Sequence, residues 1–214
     1  MPEDLLIIGG GEHARIVAEA ARSRPEEWNV MGFVDPKPNA DTARRFDLRR
    51  YSSDMEGMAQ SSNRRFVLGI GQMGSTPLRR RLTALYNGKG ARWAVIVHIG
   101  AWVSSTAILQ EGVVVMAGAV VNSGARVGRH SIVNSGAIVE HDVDLGEFST
   151  IAPGAITGGG TQIGAGSYLG LGCRIRDHIR VGANVTVGMG AVVIRDLPAD
   201  STVVGVPARA ISLQ

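Results

Sequence analysis

Cysteine, aromatic side chains and long apolar runs are all scarce in this chain, and each scarcity removes a class of protein. One cysteine in 214 residues, Cys173, excludes an intrachain disulfide framework and suits a reducing compartment. No basic stretch precedes the first apolar segment, Leu5-Leu6-Ile7-Ile8, and that segment is far too short to span a bilayer. The sequence therefore predicts a cytoplasmic chain with no membrane insertion. Aromatics supply only 5% of residues while glycine reaches 29, which points to tight turns and thin aliphatic packing. The formal net charge is only +3. Arginine clusters (Arg44-Arg45, Arg49-Arg50, Arg64-Arg65 and Arg79-Arg80-Arg81) alternate with acids in the first 81 residues. That is not the single basic patch of a nucleic-acid binder. The clusters read as solvated helix faces or as help in holding a phosphate-bearing ligand.

What is present falls into two grammars, with boundaries at 1–97 and 98–214. In the first, Leu5–Ile8 reads as a strand ended by Gly9-Gly10-Gly11. From Glu12 to Arg22 apolar residues recur at helical spacing (Ala14, Ile16-Val17, Ala20-Ala21). A second strand covers Val30–Val34 and stops at Asp35-Pro36-Lys37-Pro38; a third covers Phe66–Ile70, followed by Gly71 and a helix from Thr76 to Tyr86. Strand, glycine-rich turn, helix, strand predicts a small Rossmann-like α/β domain with a parallel sheet.

The second half repeats every six residues. Stepping by six from Val103 to Val193 meets sixteen positions, and all but Thr157 are branched aliphatics. Two residues earlier the side chain is small (Ala119, Ala125, Ser131, Ala137, Ser149, Ala155); one residue later glycine is frequent (Gly128, Gly146, Gly158, Gly164, Gly170). No helix has that period and no flat strand does. Six residues make one short strand and one corner, so three hexads close a triangular coil of eighteen. The aliphatic fills the interior, the small residue fits the corner, and glycine is expected to relieve backbone strain at the turn.

Chemistry centres on five histidines: His13, His98, His130, His141 and His178. Imidazole, with an unperturbed pKa of about 6.5, is the usual general base near neutrality. His141 lies in Glu140-His141-Asp142, between carboxylates able to orient the ring and stabilise its protonated form. One coil away lie Ser123 and Gly159, both small, which leaves room over the imidazole. The run Gly158-Gly159-Gly160 is expected to expose backbone N–H donors for an oxyanion. Base plus oxyanion donors is what acyl transfer needs. A zinc site is disfavoured, because His98, His130 and His141 do not fall on one corner of a six-residue repeat; no metal is expected. Gly9-Gly10-Gly11-Glu12-His13-Ala14 follows the first strand, where N–H groups at a helix start face phosphate. It matches a dinucleotide fingerprint only as G-x-G-x-x-A, and a mere tight turn is as consistent.

The repeat resembles the hexapeptide-repeat acyltransferases over roughly residues 98–210, which implies a left-handed parallel β-helix. A sharper likeness spans nearly the whole chain. It rests on Glu12-His13-Ala14, Gly32-Phe33-Val34-Asp35, Gly69-Ile70-Gly71, Asn134-Ser135-Gly136-Ala137-Ile138-Val139-Glu140-His141-Asp142 and Gly205-Val206-Pro207-Ala208-Arg209. On these the chain resembles acetyltransferases of nucleotide-linked 4-amino-4,6-dideoxy sugars, which build cell-surface glycan precursors, and their sialic-acid O-acetyltransferase relatives. The resemblance implies acetyl-CoA as co-substrate, His141 as general base and Asp142 as its acidic partner. It implies that Asn134 places the sugar and that Gly11, His13 and Asp35 line the nucleotide-sugar site. Gly159 is implied beside the pantetheine arm and Arg209 near the coenzyme tail. It also implies a homotrimer with active sites between subunits. Three positions depart from the family pattern: Glu12 replaces a common glycine, Pro36 a second acid, and Thr150 a histidine found near the coenzyme in some members.

N-acetylation of a nucleotide-linked amino sugar is thus the expected function, with O-acetylation of a sugar or sialic acid as the nearest alternative. An NAD-binding oxidoreductase built on the first domain, or a non-catalytic β-helical scaffold, are remoter readings.

Overall fold

A computed structural model describes residues 1–37, 46–54, 56, 64–72 and 76–211. The arginine pair Arg44-Arg45 and Pro38 lie outside the described residues. The chain divides into two compact units: Met1–Gly71 with Leu78–Ile99, and Gln72–Pro77 with Gly100–Gln214.

The first unit contains β1 (Glu3–Ile8), α1 (Glu12–Arg22), β2 (Trp28–Val34), β3 (Arg49–Tyr51), β4 (Arg65–Leu68), α2 (Pro77–Asn87) and β5 (Arg92–Trp93). Its five strands run parallel in the order β3-β2-β1-β4-β5. The central strand is apolar because both its neighbours and both faces exclude water: Leu5, Leu6 and Ile7 are fully buried. Helix α1 turns Ala14, Val17, Ala20 and Ala21 of the predicted stripe inward together with Ala18, while Ile16, also expected inside, is exposed. Strand β4 ends at Leu68, two residues before the predicted end. Gly69 still donates its N–H to the Ile8 carbonyl at 2.8 Å, and a Cβ on it would meet Ile7 and Ala14, so the chain passes close to α1 as the strand ends. Strands β3 and β5 escape the sequence reading, being short and rich in arginine.

The second unit is a left-handed parallel β-helix of about 8 turns. Strands pair eighteen residues apart in exact register: Val120 with Ile138, Arg126 with Asp144, Ile132 with Thr150. The repeated aliphatics line the interior, and Val115, Val121, Val127, Val133, Val139 and Ile151 are fully buried. Inside one corner the small residues form a hydroxyl ladder. Ser131, Ser149 and Ser167 each donate to a carbonyl, at 2.9, 3.1 and 3.0 Å, and each accepts the N–H of the residue stacked above. Buried hydroxyls are thereby satisfied without water.

Glycine does two jobs, and the predicted one falls elsewhere. The left-handed backbone positions lie three residues after each aliphatic (Gly136, Gly154, Gly172, Gly190), with φ between 63° and 68°. Glycines one residue after the aliphatic have no such φ. They allow coils to touch: a Cβ on Gly158 would strike the backbone of Asp177, and one on Gly146 the backbone of Ala165. Among the described residues no helix is long and apolar enough to cross a membrane.

Candidate active site

The corner after strand Ile138–Val139 carries the most concentrated chemistry of the β-helix. Here Asp142 takes the left-handed conformation, φ 56°, which Asp tolerates better than most side chains. Its N–H donates to the Ser123 carbonyl one coil earlier, at 3.0 Å, which fixes the corner. The His141 Nδ1 lies 3.0 Å from Asp142 Oδ2. A carboxylate only accepts, so Nδ1 carries the proton and Nε2 is left as the acceptor. Glu140 Oε2 accepts the His141 backbone N–H at 3.2 Å, placing a second carboxylate beside the ring. The hydrogen bond that His141 donates to Asp142 raises the imidazole pKa above its ordinary value, with the charges of Asp142 and Glu140 adding to it and desolvation opposing.

Above the ring lies Gly159. A Cβ there would land on Nε2 and 2.5 Å from Cε1, so only glycine leaves the basic nitrogen uncovered. The expectation of three glycine donors needs correcting. Gly158 N–H bonds the Ile175 carbonyl at 2.8 Å and Gly160 N–H bonds the His141 carbonyl at 2.9 Å, because stacked coils share their backbone bonds at this register. The Gly159 N–H makes no bond among the described residues and is the one donor left for a ligand. One coil further, the exposed His178 ring occupies the space over Gly160, with Nδ1 2.5 Å from where its Cβ would be. The eighteen-residue spacing from Asp142 through Gly160 to His178 is the signal that finds it.

The other solenoid residues are not gathered at this corner. Asn134 occupies the preceding corner of the same coil, half-buried, with Oδ1 accepting the Ser135 N–H at 2.8 Å. Thr150 is buried; its hydroxyl donates to Gln72 Oε1 at 3.0 Å, and Gln72 Nε2 donates to the Gly166 carbonyl at 3.1 Å. The threonine that departs from the family pattern thus belongs to the packing of its own unit. Arg209 lies in a C-terminal strand antiparallel to Thr202–Val204, exposed, its guanidinium donating to the Ala208 carbonyl at 3.0 Å. Among the described residues no three His, Cys, Asp or Glu side chains are grouped to hold a metal ion.

The first unit holds a cleft of about 600 Å³ at the carboxyl ends of β1, β2 and β4. Strand order reverses at β1, with β2 on one side and β4 on the other, the place where parallel sheets open a crevice. Gly11, His13 and Asp35 all line it, together with Glu12, Lys37, Asp54 and Arg81. Gly11 is the N-cap of α1 and makes no side-chain cap, and a Cβ there would meet nothing within 4 Å. Asp35 braces the cleft: Oδ2 accepts the Gly10 N–H and Oδ1 the Lys37 N–H, both at 2.9 Å. His13 packs beside Gly71, and burial, aided by the Arg79 charge, lowers its pKa to about 4, so it is neutral near pH 7. The arginine clusters are not uniformly solvated faces. Arg64 and Arg79 are buried, Arg49 stacks 4.7 Å from the Tyr51 ring, and Arg81 faces the cleft. Arg81 belongs to a cluster that the sequence offers as help in holding a phosphate-bearing ligand, whereas no local pattern marks Lys37, which the sequence reading misses.

Comparison with known proteins adds independent findings. Residues 4–83 match the PglD N-terminal domain family. The acetyltransferase domain of PglB from Neisseria gonorrhoeae FA1090 is 33% identical, with 98% of this chain and 100% of that chain covered at a TM-score of 0.87. The same domain is known in complex with acetyl coenzyme A, at 33% identity, 99% and 100% coverage, and a TM-score of 0.88. A histidine-to-asparagine variant of perosamine N-acetyltransferase from Caulobacter crescentus, in complex with CoA and GDP-perosamine, is 31% identical. There 98% of this chain and 97% of that chain are covered, at a TM-score of 0.86. No curated protein matches by sequence.

Proposed function

Because this chain belongs to the hexapeptide-repeat nucleotide-sugar N-acetyltransferases, we propose that it moves the acetyl group of acetyl-CoA onto the amine of a nucleotide-linked 4-amino-4,6-dideoxy sugar. The observation that carries this reading is the His141–Asp142 pair, with Nε2 open beneath Gly159. The amine attacks the thioester carbonyl while His141 Nε2 takes its proton, and the Asp142 carboxylate stabilises the resulting imidazolium. The Gly159 N–H is placed to serve the developing oxyanion. Collapse breaks the carbon–sulfur bond, and the proton held on His141 passes to the departing thiolate. Nitrogen gains the acetyl group, and coenzyme A leaves as the free thiol.

The remaining roles follow the same reading. Asn134 orients the sugar, Gly159 runs beside the pantetheine arm, and Arg209 meets the coenzyme tail. The first unit is the Rossmann-like head, with Gly11, His13 and Asp35 lining its nucleotide cleft. A homotrimer completes the site between subunits. Its support is an apolar row on the outer face of one sheet, where Trp102, Val120, Ile138 and Ile156 stack in register, with Trp102 54% exposed. The setting is cytoplasmic: Cys173 is buried, its thiol pushed up to about 12, and makes no demand for an oxidising compartment.

The test is thiol release from acetyl-CoA with UDP- and GDP-linked 4-amino-4,6-dideoxy sugars and with free sialic acid. Saturable release with one nucleotide amino sugar, matched by an N-acetyl product, is the expected result. Release with sialic acid alone would move the enzyme to O-acetylation, and no release with any acceptor would remove the proposal.

A further inference from the structure

The charges around the head cleft are unequally committed. Among the described residues, three carboxylates line it, and each has a partner. Both oxygens of Asp35 accept backbone N–H groups. Asp54 accepts the Tyr86 hydroxyl at 2.7 Å. Glu12 lies 3.7 Å from Arg15 on the same helix, its side chain 94% exposed, so the charge that replaces the family's glycine is drawn toward Arg15. Lys37 and Arg81 line the same cleft, and neither the ammonium nor the guanidinium forms an ion pair or hydrogen bond with any described residue. The His13 imidazole, neutral near pH 7, adds a buried Nε2 with no hydrogen-bond partner among the described residues. The acids of this cleft are held by donors of the protein, while two cations with no counter-ion among the described residues and the open N-terminus of α1 are left to meet an anion.

We infer that Lys37 and Arg81 hold the diphosphate of the nucleotide sugar from opposite chain segments, one after β2 and one on α2. The inference rests on the head cleft being the nucleotide-sugar site. Lys37 supplies a compact charge and Arg81 a planar fork able to take two phosphate oxygens. Glu12 has Arg15 as its partner, so a glutamate in the first turn leaves Lys37 and Arg81 available to phosphate. These are binding residues, remote from proton transfer at His141.

The decisive experiment measures UDP and GDP binding calorimetrically, with uridine, guanosine and NADH as controls, for wild type, Lys37→Ala, Arg81→Ala and the double variant. Both side chains are exposed, so the variants should fold normally. Each single change is expected to weaken diphosphate binding about 5- to 20-fold, and the double change roughly by the product. Binding of the nucleosides should not move, and the salt dependence of diphosphate binding should flatten. Lys37→Arg and Arg81→Lys should recover part of the loss. In turnover, KM for the nucleotide sugar should rise while kcat and the KM for acetyl-CoA stay. Wild-type binding of UDP or GDP with no change in either alanine variant would overturn the inference alone. Failure of wild type to bind either diphosphate would overturn the nucleotide reading of the cleft, and the inference with it. NADH bound in preference to both would do the same and assign the cleft to dinucleotides.

Discussion

The β-helix and the α/β head place functional groups by different means. In the β-helix, His141 and Gly159 meet because they are eighteen residues apart, and every coil above and below repeats that spacing. In the head, the cleft is assembled from Gly11 and His13 after β1, Asp35 and Lys37 after β2, and Arg81 on α2, segments with no common period. One site is fixed by a vertical register that tolerates no side chain at its centre. The other is a rim with room to spare.

The largest expected effect removes the base. His141→Ala should lower kcat by about 10²–10⁴, the range for a lost general base, while acetyl-CoA binding measured by calorimetry stays close to wild type. A variant turning over near the wild-type rate would end the assignment.

The same small change at two glycines sharpens the contrast between the regions. Gly159→Ala places a methyl on His141 Nε2 and should cost about 10²-fold in kcat through displacement of the ring. Gly11→Ala opens onto empty space at the cleft and should change kcat by less than about threefold, well under one step of the scale for a displaced catalytic group. Equal losses at both sites would erase the distinction.

A smaller effect separates the two glycine columns, read by thermal or denaturant unfolding. Gly158→Ala drives a methyl into the Asp177 backbone and should cost about 1–3 kcal/mol, as overpacking does. Gly154→Ala meets open space but must hold φ near 68°, and should cost about 1 kcal/mol. The reverse order would mean that coil contact is softer than the stacked backbones suggest.

Much of this is readable in the sequence, for physical reasons that also mark the limits. The solenoid is legible because one interior position recurs in every hexad, and α1 is legible at both ends because Gly11 and the alanine-rich stripe bound it. His141, Asp142 and Gly159 are found by adding eighteen to a residue number. The division of labour between glycine columns is not, since composition cannot tell a left-handed φ from a close approach. Nor can it tell that Gly158 and Gly160 N–H groups are engaged between coils, leaving Gly159. In the head, Asp35 stands out in the sequence at the end of β2 and lines the cleft, but its bracing of Gly10 and Lys37 depends on a turn geometry that no local pattern records. Lys37 is invisible for the same reason, and Arg81 stands out only as one of three neighbouring arginines until the strand ends are side by side.

The most direct test of the central claim is the pH dependence of kcat/KM for wild type and Asp142→Asn with one nucleotide amino sugar. His141 must be neutral to accept a proton, so activity rises as pH passes its pKa. The Asp142 hydrogen bond raises that pKa, which sets the wild-type limb above the ordinary imidazole value of about 6.5. Removing the carboxylate's charge lowers it, so the limb in Asp142→Asn should slide to lower pH, with a reduced plateau, once the acceptor's own titration, measured separately and common to both, is divided out of each profile. Superimposable limbs would contradict the account, since His141, tuned by Asp142, would then not be the group whose proton governs transfer.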